Sequence, residues 1–188
     1  MKKLLIIGAV SAALLLAQAA HLALDPSHAD VEFVLPSLLH TVHGTFQLQR
    51  GSLEFDPESE AVTGELVVDA RSGDSGGAAR DRRMHKEILE SDKYPLIVFR
   101  PDRMEGKVAP QGASNVQLHG VFSIHGGDHE MTVPVEVHAE GGQYTSTAHF
   151  LVPYVKWGMK NPSTLMLRVN DKVEITVHAA FRPVHSTA

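Results

Sequence analysis

From residue 29 onward, hydrophobic and polar residues alternate with a period of two, the pattern of strands that bury one face. Residues 29–35 show the pattern well, because apolar side chains alternate there with Asp30 and Glu32. Turn-forming residues separate this segment from others with the same alternation, at residues 46–55, 66–70, 116–124, 133–137, 144–150 and 173–181. The pattern predicts about eight antiparallel strands, each with one face in water.

Short strands in this number fit either a β-sandwich or a closed barrel. Closure removes the exposed edges of a sheet, so we favour an all-β fold built as an eight-stranded antiparallel barrel. A barrel of this size has an interior just wide enough for one small or slender ligand.

One charge-dense segment, residues 80–90, interrupts the strand pattern. Met84 and Ile88 stand four residues apart, on one face of a helix, and Tyr94-Pro95 then forces the backbone to extend. The preceding residues 72–77, rich in glycine and serine, are typical of a flexible connection. We therefore predict one short helix that lies over an end of the barrel.

The first nineteen residues have the features of a secretory signal peptide. Lys2 and Lys3 precede an apolar run over residues 4–16, and Ala17-Gln18-Ala19 resembles a cleavage site. A retained anchor is the alternative, but the apolar run is shorter than the roughly 20 residues that cross a bilayer. We predict a periplasmic or secreted protein whose signal peptide is residues 1–19.

The charge and the cysteine count argue against several classes of protein. The chain has no cysteine, so its exported form cannot use disulfides and must rely on its own core. Its formal charge is −5, and removal of the two N-terminal lysines makes it more negative. This balance argues against a nucleic-acid surface and against electrostatic docking to acidic lipids.

The chain has twelve histidines, which raise the question of a metal site. His125 and His129 are four residues apart, but Gly126-Gly127 places a turn between them and no glutamate completes a zinc motif. His40 and His43 lie beside a predicted strand. We predict no metal site and no cofactor, and a composite histidine site stays open as the alternative.

Motifs of common enzymes are missing from the sequence. It contains no G-x-S-x-G elbow, no phosphate-binding loop, no dinucleotide fingerprint and no cysteine nucleophile. We therefore predict no catalytic residues, and a hydrolase or metal-dependent enzyme that uses the histidines is the alternative.

Several short motifs together resemble the YceI-like family over residues 24–183. They are HTVHGTF at 40–46, Arg80-Asp81, LESDKYP at 89–95 with Ile97 and Phe99 behind it, His119-Gly120, His125-Gly126, WGMKNPS at 157–163 and VNDKVEI at 169–175. The resemblance implies an exported, lipocalin-like antiparallel barrel domain that binds polyisoprenoids or related amphiphilic lipids.

That resemblance selects candidate ligand-binding residues. The apolar candidates are Phe33, Phe46, Met84, Ile88, Phe99, Phe122 and Ile124. Each could instead be ordinary core packing. Arg80 and Asp81 are candidates for contact with a polar head group, although Asp81 near a helix start also favours the helix dipole and Arg80 could pair with a neighbouring carboxylate.

The sequence thus predicts an exported lipid-binding protein that sequesters or carries a polyisoprenoid or similar amphiphile without covalent chemistry. Its expected partner is a long-chain isoprenoid or amphiphilic lipid and not nucleic acid. A transient membrane or membrane-protein partner and a homodimer stay open. The remaining alternative is a structural or stress-protective domain whose barrel is filled by side chains.

Overall fold

A computed structural model describes residues 20–38, 40–56, 59–165 and 167–184, so the predicted signal peptide at residues 1–19 lies outside the described residues. Within these ranges, eight antiparallel strands form one closed barrel in which each strand pairs with the next and the last pairs with the first. The strands are β1 (Ala20–Pro36), β2 (Thr41–Phe55), β3 (Val62–Asp74), β4 (Leu96–Glu105), β5 (Gly112–Ile124), β6 (Gly127–Glu140), β7 (Gln143–Val152) and β8 (Val173–Pro183). The predicted all-β, eight-stranded antiparallel barrel with one short helix at an end is confirmed.

The helix lies where the sequence predicts it, with shifted ends. Helix α1 (Ala78–Arg83) continues directly into a π-helical turn over Met84–Ile88. The helical segment stops before Glu90, whose φ of 47° places it in the left-handed conformation that commonly follows a helix C-terminus. Within the described residues, no helix is both long and apolar enough to cross a lipid bilayer.

The glycine- and serine-rich segment before the helix is more ordered than the pattern predicts. Strand β3 extends through Asp74, and Gly73 is buried within it. A Cβ atom at Gly73 would lie 2.6 Å from the Phe46 ring and 2.7 Å from Met84 Cε. Glycine is therefore required here because the two side chains pack directly against the backbone of β3.

The up-and-down strand order places four connections at the same end of the barrel. They are residues 37–40, 75–95, 125–126 and 153–172, and we call this end the helix end. The connection at 125–126 is a two-residue hairpin turn, since His125 and Gly126 have φ values of 52° and 75°. The opposite end carries the other three connections, at 56–61, 106–111 and 141–142.

The buried residues form three clusters instead of one continuous core. A helix-end cluster contains Ala70, Leu89, Ile97, Ile124, Val152, Tyr154 and Met159. A second cluster lies on strands β1, β2 and β8 (Leu24, Val31, Leu48, Ala179, Phe181), and a third lies on strands β3 to β6 (Val62, Met104, Val116, Val133, Val135). The side chains that contact more than one cluster, including Phe46 and Phe150, are only partly buried.

Candidate functional site

The helical segment is attached to the helix end by apolar and polar contacts. Met84 and Ile88 pack against the helix-end cluster. The His85 side chain continues the attachment, because Nε2 donates to the Gly73 carbonyl at 2.9 Å and Nδ1 lies 3.1 Å from the hydroxyl of buried Ser91. The helix therefore covers the barrel opening next to the end of β3.

A second attachment joins the segment after the helix to the β5–β6 hairpin. His125 Nε2 lies 2.7 Å from Glu90 Oε2, and the His125 ring is 4.8 Å from the Tyr94 ring, centroid to centroid. Gly126 fits beneath the same tyrosine, since a Cβ atom there would lie 2.6 Å from its ring. Polar contacts therefore hold the helical segment on two sides, at the end of β3 and at the β5–β6 hairpin.

The predicted head-group residues Arg80 and Asp81 both bind Ser75. Arg80 Nε donates to the Ser75 hydroxyl at 2.8 Å, and Arg80 Nη2 donates to the Ser75 carbonyl at 2.7 Å. Asp81 accepts hydrogen bonds from the Ser75 hydroxyl and from its backbone N–H. The hydroxyl contact is the main cause that holds the pKa of Asp81 below its usual value. Both residues fix the start of the helix, and their contact with a ligand stays a prediction.

The structure brings most of the predicted apolar residues together. Ile124 belongs to the helix-end cluster, and four further candidates pack against it: Phe46, Met84, Ile88 and Phe122. Phe33 joins this group through Phe46, with ring centroids 5.4 Å apart. Phe99 is separate, because it packs against the cluster on strands β3 to β6.

An aromatic group at the helix end includes three residues outside the predicted set of ligand contacts: Phe150, Trp157 and His129. Phe122 lies 6.2 Å from Phe150 and 5.7 Å from Trp157, and the His129 ring stacks on Trp157 at 4.1 Å with 4° between the planes. The alternation of Gly127, His129 and Met131 in β6 could have placed His129 on the inner face. In the pairing of β5 with β6, His129 lies opposite Phe122, and this register confirms that position.

His129 combines this position with an unusual electrostatic environment. Its Nε2 atom is buried and has no hydrogen-bond partner among the described residues. Burial lowers the pKa of His129, and the nearby Asp128 carboxylate opposes that shift. The ring is therefore neutral at neutral pH and behaves mainly as an aromatic surface.

Tyr154 anchors the long connection between β7 and β8. The side chain is buried, and its hydroxyl donates to the Asn170 carbonyl at 2.7 Å. Burial raises the pKa of Tyr154 to about 12, so the hydroxyl keeps its proton at all physiological pH values. This bond holds the two halves of the connection together across the barrel end.

Two other types of site, a metal centre and a surface depression, compare poorly with the helix end. Across the described ranges, no three histidine, aspartate or glutamate side chains come close enough to hold a metal ion. A shallow depression of about 300 Å³ lies at the opposite end, beside the contact between His21 Nε2 and Glu54 Oε1. It is largely open to solvent, so the helix end is the better candidate for an enclosed ligand.

Comparisons with known proteins agree with this architecture. The family model described as the YceI-like domain matches residues 22–181. None of the curated proteins matches the chain significantly.

Solved structures with the same fold have low sequence identity to this chain. BcnA of Burkholderia cenocepacia is 20% identical, with a TM-score of 0.68 over 84% of this chain and 98% of its own. A polyisoprenoid binding domain from Saccharophagus degradans, implicated in plant cell wall breakdown, is 14% identical, with a TM-score of 0.67 over 87% and 98%. A Campylobacter jejuni YceI protein is 14% identical, with a TM-score of 0.62 over 79% and 88%. At such identities the likeness establishes the fold.

Proposed function

Because this chain belongs to the YceI-like domain family, we propose that it binds a long-chain amphiphile of the polyisoprenoid class inside its barrel. The polar end of the ligand lies near the helix end, and its apolar chain runs between the clusters on the two walls. No covalent step is part of this function. The Saccharophagus degradans domain, a polyisoprenoid binding domain of the same fold, supports the choice of ligand class.

The observation that carries the proposal is the incomplete burial of the barrel's middle. Phe46, Val68 and Ile175 contact both the helix-end cluster and the β1–β2–β8 cluster, yet each is only partly buried. A barrel filled by its own side chains has one close-packed core, in which such bridging residues are fully buried. The accessible area of these residues is apolar surface that a ligand chain can cover.

A slender hydrocarbon chain suits such an interior. Burial of each methylene group contributes about 0.8 kcal/mol, so a chain of several isoprene units binds tightly without any charged contact. The predicted contacts Phe46, Phe122 and Ile124 line this route at the helix end. Phe99 extends it toward the opposite end, along the wall formed by β3 to β6.

We also propose that the protein works outside the cytoplasm and carries its ligand through water. The signal-peptide pattern of residues 1–19 supports export. A polyisoprenoid is almost insoluble in water, and a covered barrel shields it between one membrane and the next acceptor.

Lipid extraction from native protein tests the function. The protein is purified without denaturation or detergent, extracted with organic solvent and analysed by mass spectrometry, and we expect a long-chain isoprenoid lipid in near-stoichiometric amount. Ala148→Phe adds a ring to the inner face of β7 and should expel the lipid. Thr145→Phe adds the same ring to the exposed outer face and serves as the matched control.

Two results would contradict the proposal. One is a folded protein that carries no lipid after native expression and takes up none from isoprenoid-containing vesicles. The other is equal lipid content in the Ala148→Phe and Thr145→Phe variants, since the lipid would then lie outside the barrel.

A further inference from the structure

Exposed apolar side chains are concentrated at the helix end. Among the described residues, five large hydrophobic side chains are exposed, and four of them lie at this end. Leu165 is 100% exposed and Leu38 72%, both in connections, while Leu151 and Leu96 lie on the rim at 50% and 39%. The fifth, Val184, lies at the opposite end. Leucine side chains this exposed are unfavourable in water and suggest a surface that something covers.

Leu38 and Leu165 belong to connections that are bonded to each other. The Leu38 N–H donates to the Arg168 carbonyl at 2.9 Å, next to a bridge between Ser37 and Val169. A tight turn brings Leu165 to the tip of its connection, because the Thr164 N–H donates to the Leu167 carbonyl at 2.8 Å. The two exposed leucines therefore belong to one hydrogen-bonded part of the helix end.

The helix end also differs in charge from the rest of the chain. Its four connections contain nine Lys and Arg residues but only five Asp and Glu residues. The rest of the chain from residue 20 onward contains six basic and seventeen acidic residues. Lys160 and Arg168, on the same connection as Leu165, are both exposed. The negative net charge, which argued against acidic lipids at the level of the sequence, is thus confined to the walls and the opposite end.

We propose that the helix end docks on the surface of an anionic phospholipid bilayer. Leu38 and Leu165 enter the interface between head groups and acyl chains, and Lys160 and Arg168 contact lipid phosphates. The acidic walls are repelled by the same surface, so the protein is oriented with the helix end toward the membrane.

The docking surface adds to the proposed function, which it would serve. The test of docking does not depend on that function. A barrel that docks by the helix end presents its covered opening to the bilayer, and a lipid passes between barrel and membrane without crossing water. Docking itself requires only the leucines and the basic residues, so it is measured on protein with or without a bound lipid.

Trp157 is a built-in reporter of this orientation. It is the only tryptophan in the chain, and it lies in the same connection as Leu165. Brominated acyl chains quench tryptophan fluorescence at short range. We would add the protein, purified after export, to mixed vesicles of brominated phosphatidylcholine and phosphatidylglycerol, and to unbrominated vesicles of the same composition. We expect quenching only with the brominated anionic vesicles, and we expect added salt to weaken it.

Two double variants identify the residues that contact the membrane. Leu38→Asp with Leu165→Asp, and Lys160→Glu with Arg168→Glu, should each weaken vesicle binding at least about tenfold at low ionic strength. Val184→Asp and Lys107→Glu make changes of the same kind, one residue at a time, at the opposite end and should bind like the wild type. Every protein compared is purified after export, so that none carries the predicted signal peptide at residues 1–19.

The outcomes are distinct. Absence of Trp157 quenching with anionic vesicles, or equal losses in the helix-end and control variants, would overturn the docking proposal. Capture of a membrane protein by the helix end without binding to protein-free vesicles would also overturn it. Lipid content of the variants is measured in parallel by extraction, so a failure of docking is distinguishable from a failure of ligand binding.

Discussion

The ring of Phe33 occupies the space beside Gly44, its cross-strand partner, where any other residue would have a side chain. A Cβ atom at Gly44 would lie 2.3 Å from Phe33 Cζ and 2.4 Å from the Asp74 carbonyl oxygen. Both distances are shorter than real contacts, and the carbonyl cannot move without disturbing β3. The close approach lets Phe33 pack on Phe46, at the base of the candidate ligand site.

Gly44→Ala should therefore lower the free energy of unfolding by about 2 kcal/mol or more, the cost of overpacking a tight site. Urea unfolding followed by circular dichroism measures the change. Gly77→Ala is the control, because a Cβ there would come no closer than 3.1 Å to any neighbouring atom, in the Arg80 guanidinium, and its φ of −146° is open to alanine. A Gly44→Ala protein as stable as the control would contradict this account of the site.

The contact between Glu90 and His125 should determine how firmly the helical segment is attached. Glu90→Gln removes the charge from a bond that is partly exposed, so the loss of global stability should be about 1 kcal/mol or less. Amide hydrogen exchange over residues 78–88 should accelerate more than exchange in the barrel strands. Glu87→Gln, which disrupts the exposed pair with Arg83 inside the helical segment, is the control and should change this exchange less. Equal exchange rates in the two variants would show that the Glu90 contact does not restrain the helix.

Arg80→Ala should destabilise the protein by about 1 kcal/mol, because the Ser75 carbonyl and hydroxyl lose two donors. Arg80→Lys should recover only part of the loss, since an ammonium group cannot reproduce the fixed geometry of the guanidinium. Thermal unfolding and the amount of extracted lipid are measured on the same samples. A fall in lipid content of the folded variant supports the predicted head-group contact. Wild-type lipid content would limit Arg80 to its structural contact with Ser75.

His129 should make the barrel less stable in mild acid. Its folded pKa lies below the unfolded value because burial disfavours the charged ring, so the unfolded chain binds the proton more readily. This contribution to stability is complete above the unfolded pKa of about 6.5 and is lost as the pH falls below it toward the folded value.

His129→Phe keeps a ring on Trp157 and removes both the titration and the unpaired Nε2 atom. Unfolding free energies at neutral pH and at pH about 5 should differ less in this variant than in the wild type. His138→Gln, at an exposed site on β6, controls for the general effect of removing a histidine. An unchanged pH dependence in His129→Phe would mean that other groups cause the acid sensitivity.

Local sequence patterns predicted most of the secondary structure of this protein. The period-two alternation located the strands, because each strand has one face toward the interior and one toward water. The spacing of Met84 and Ile88 located the helix. The same alternation also predicts that His129 faces inward. That position was missed because His125 and His129 were treated only as a possible metal-binding pair.

Tertiary structure alone decided which of these residues meet. Glu90 and His125 are 35 residues apart in the chain, and their contact exists only because the closed barrel brings the β3–β4 and β5–β6 connections to one end. Leu38 and Arg168 come together for the same reason. Composition likewise averages the charge over the whole chain, whereas the up-and-down topology separates a basic end from acidic walls. Periodicity depends on near neighbours in the chain, but a binding surface depends on strand order and closure, which join distant segments.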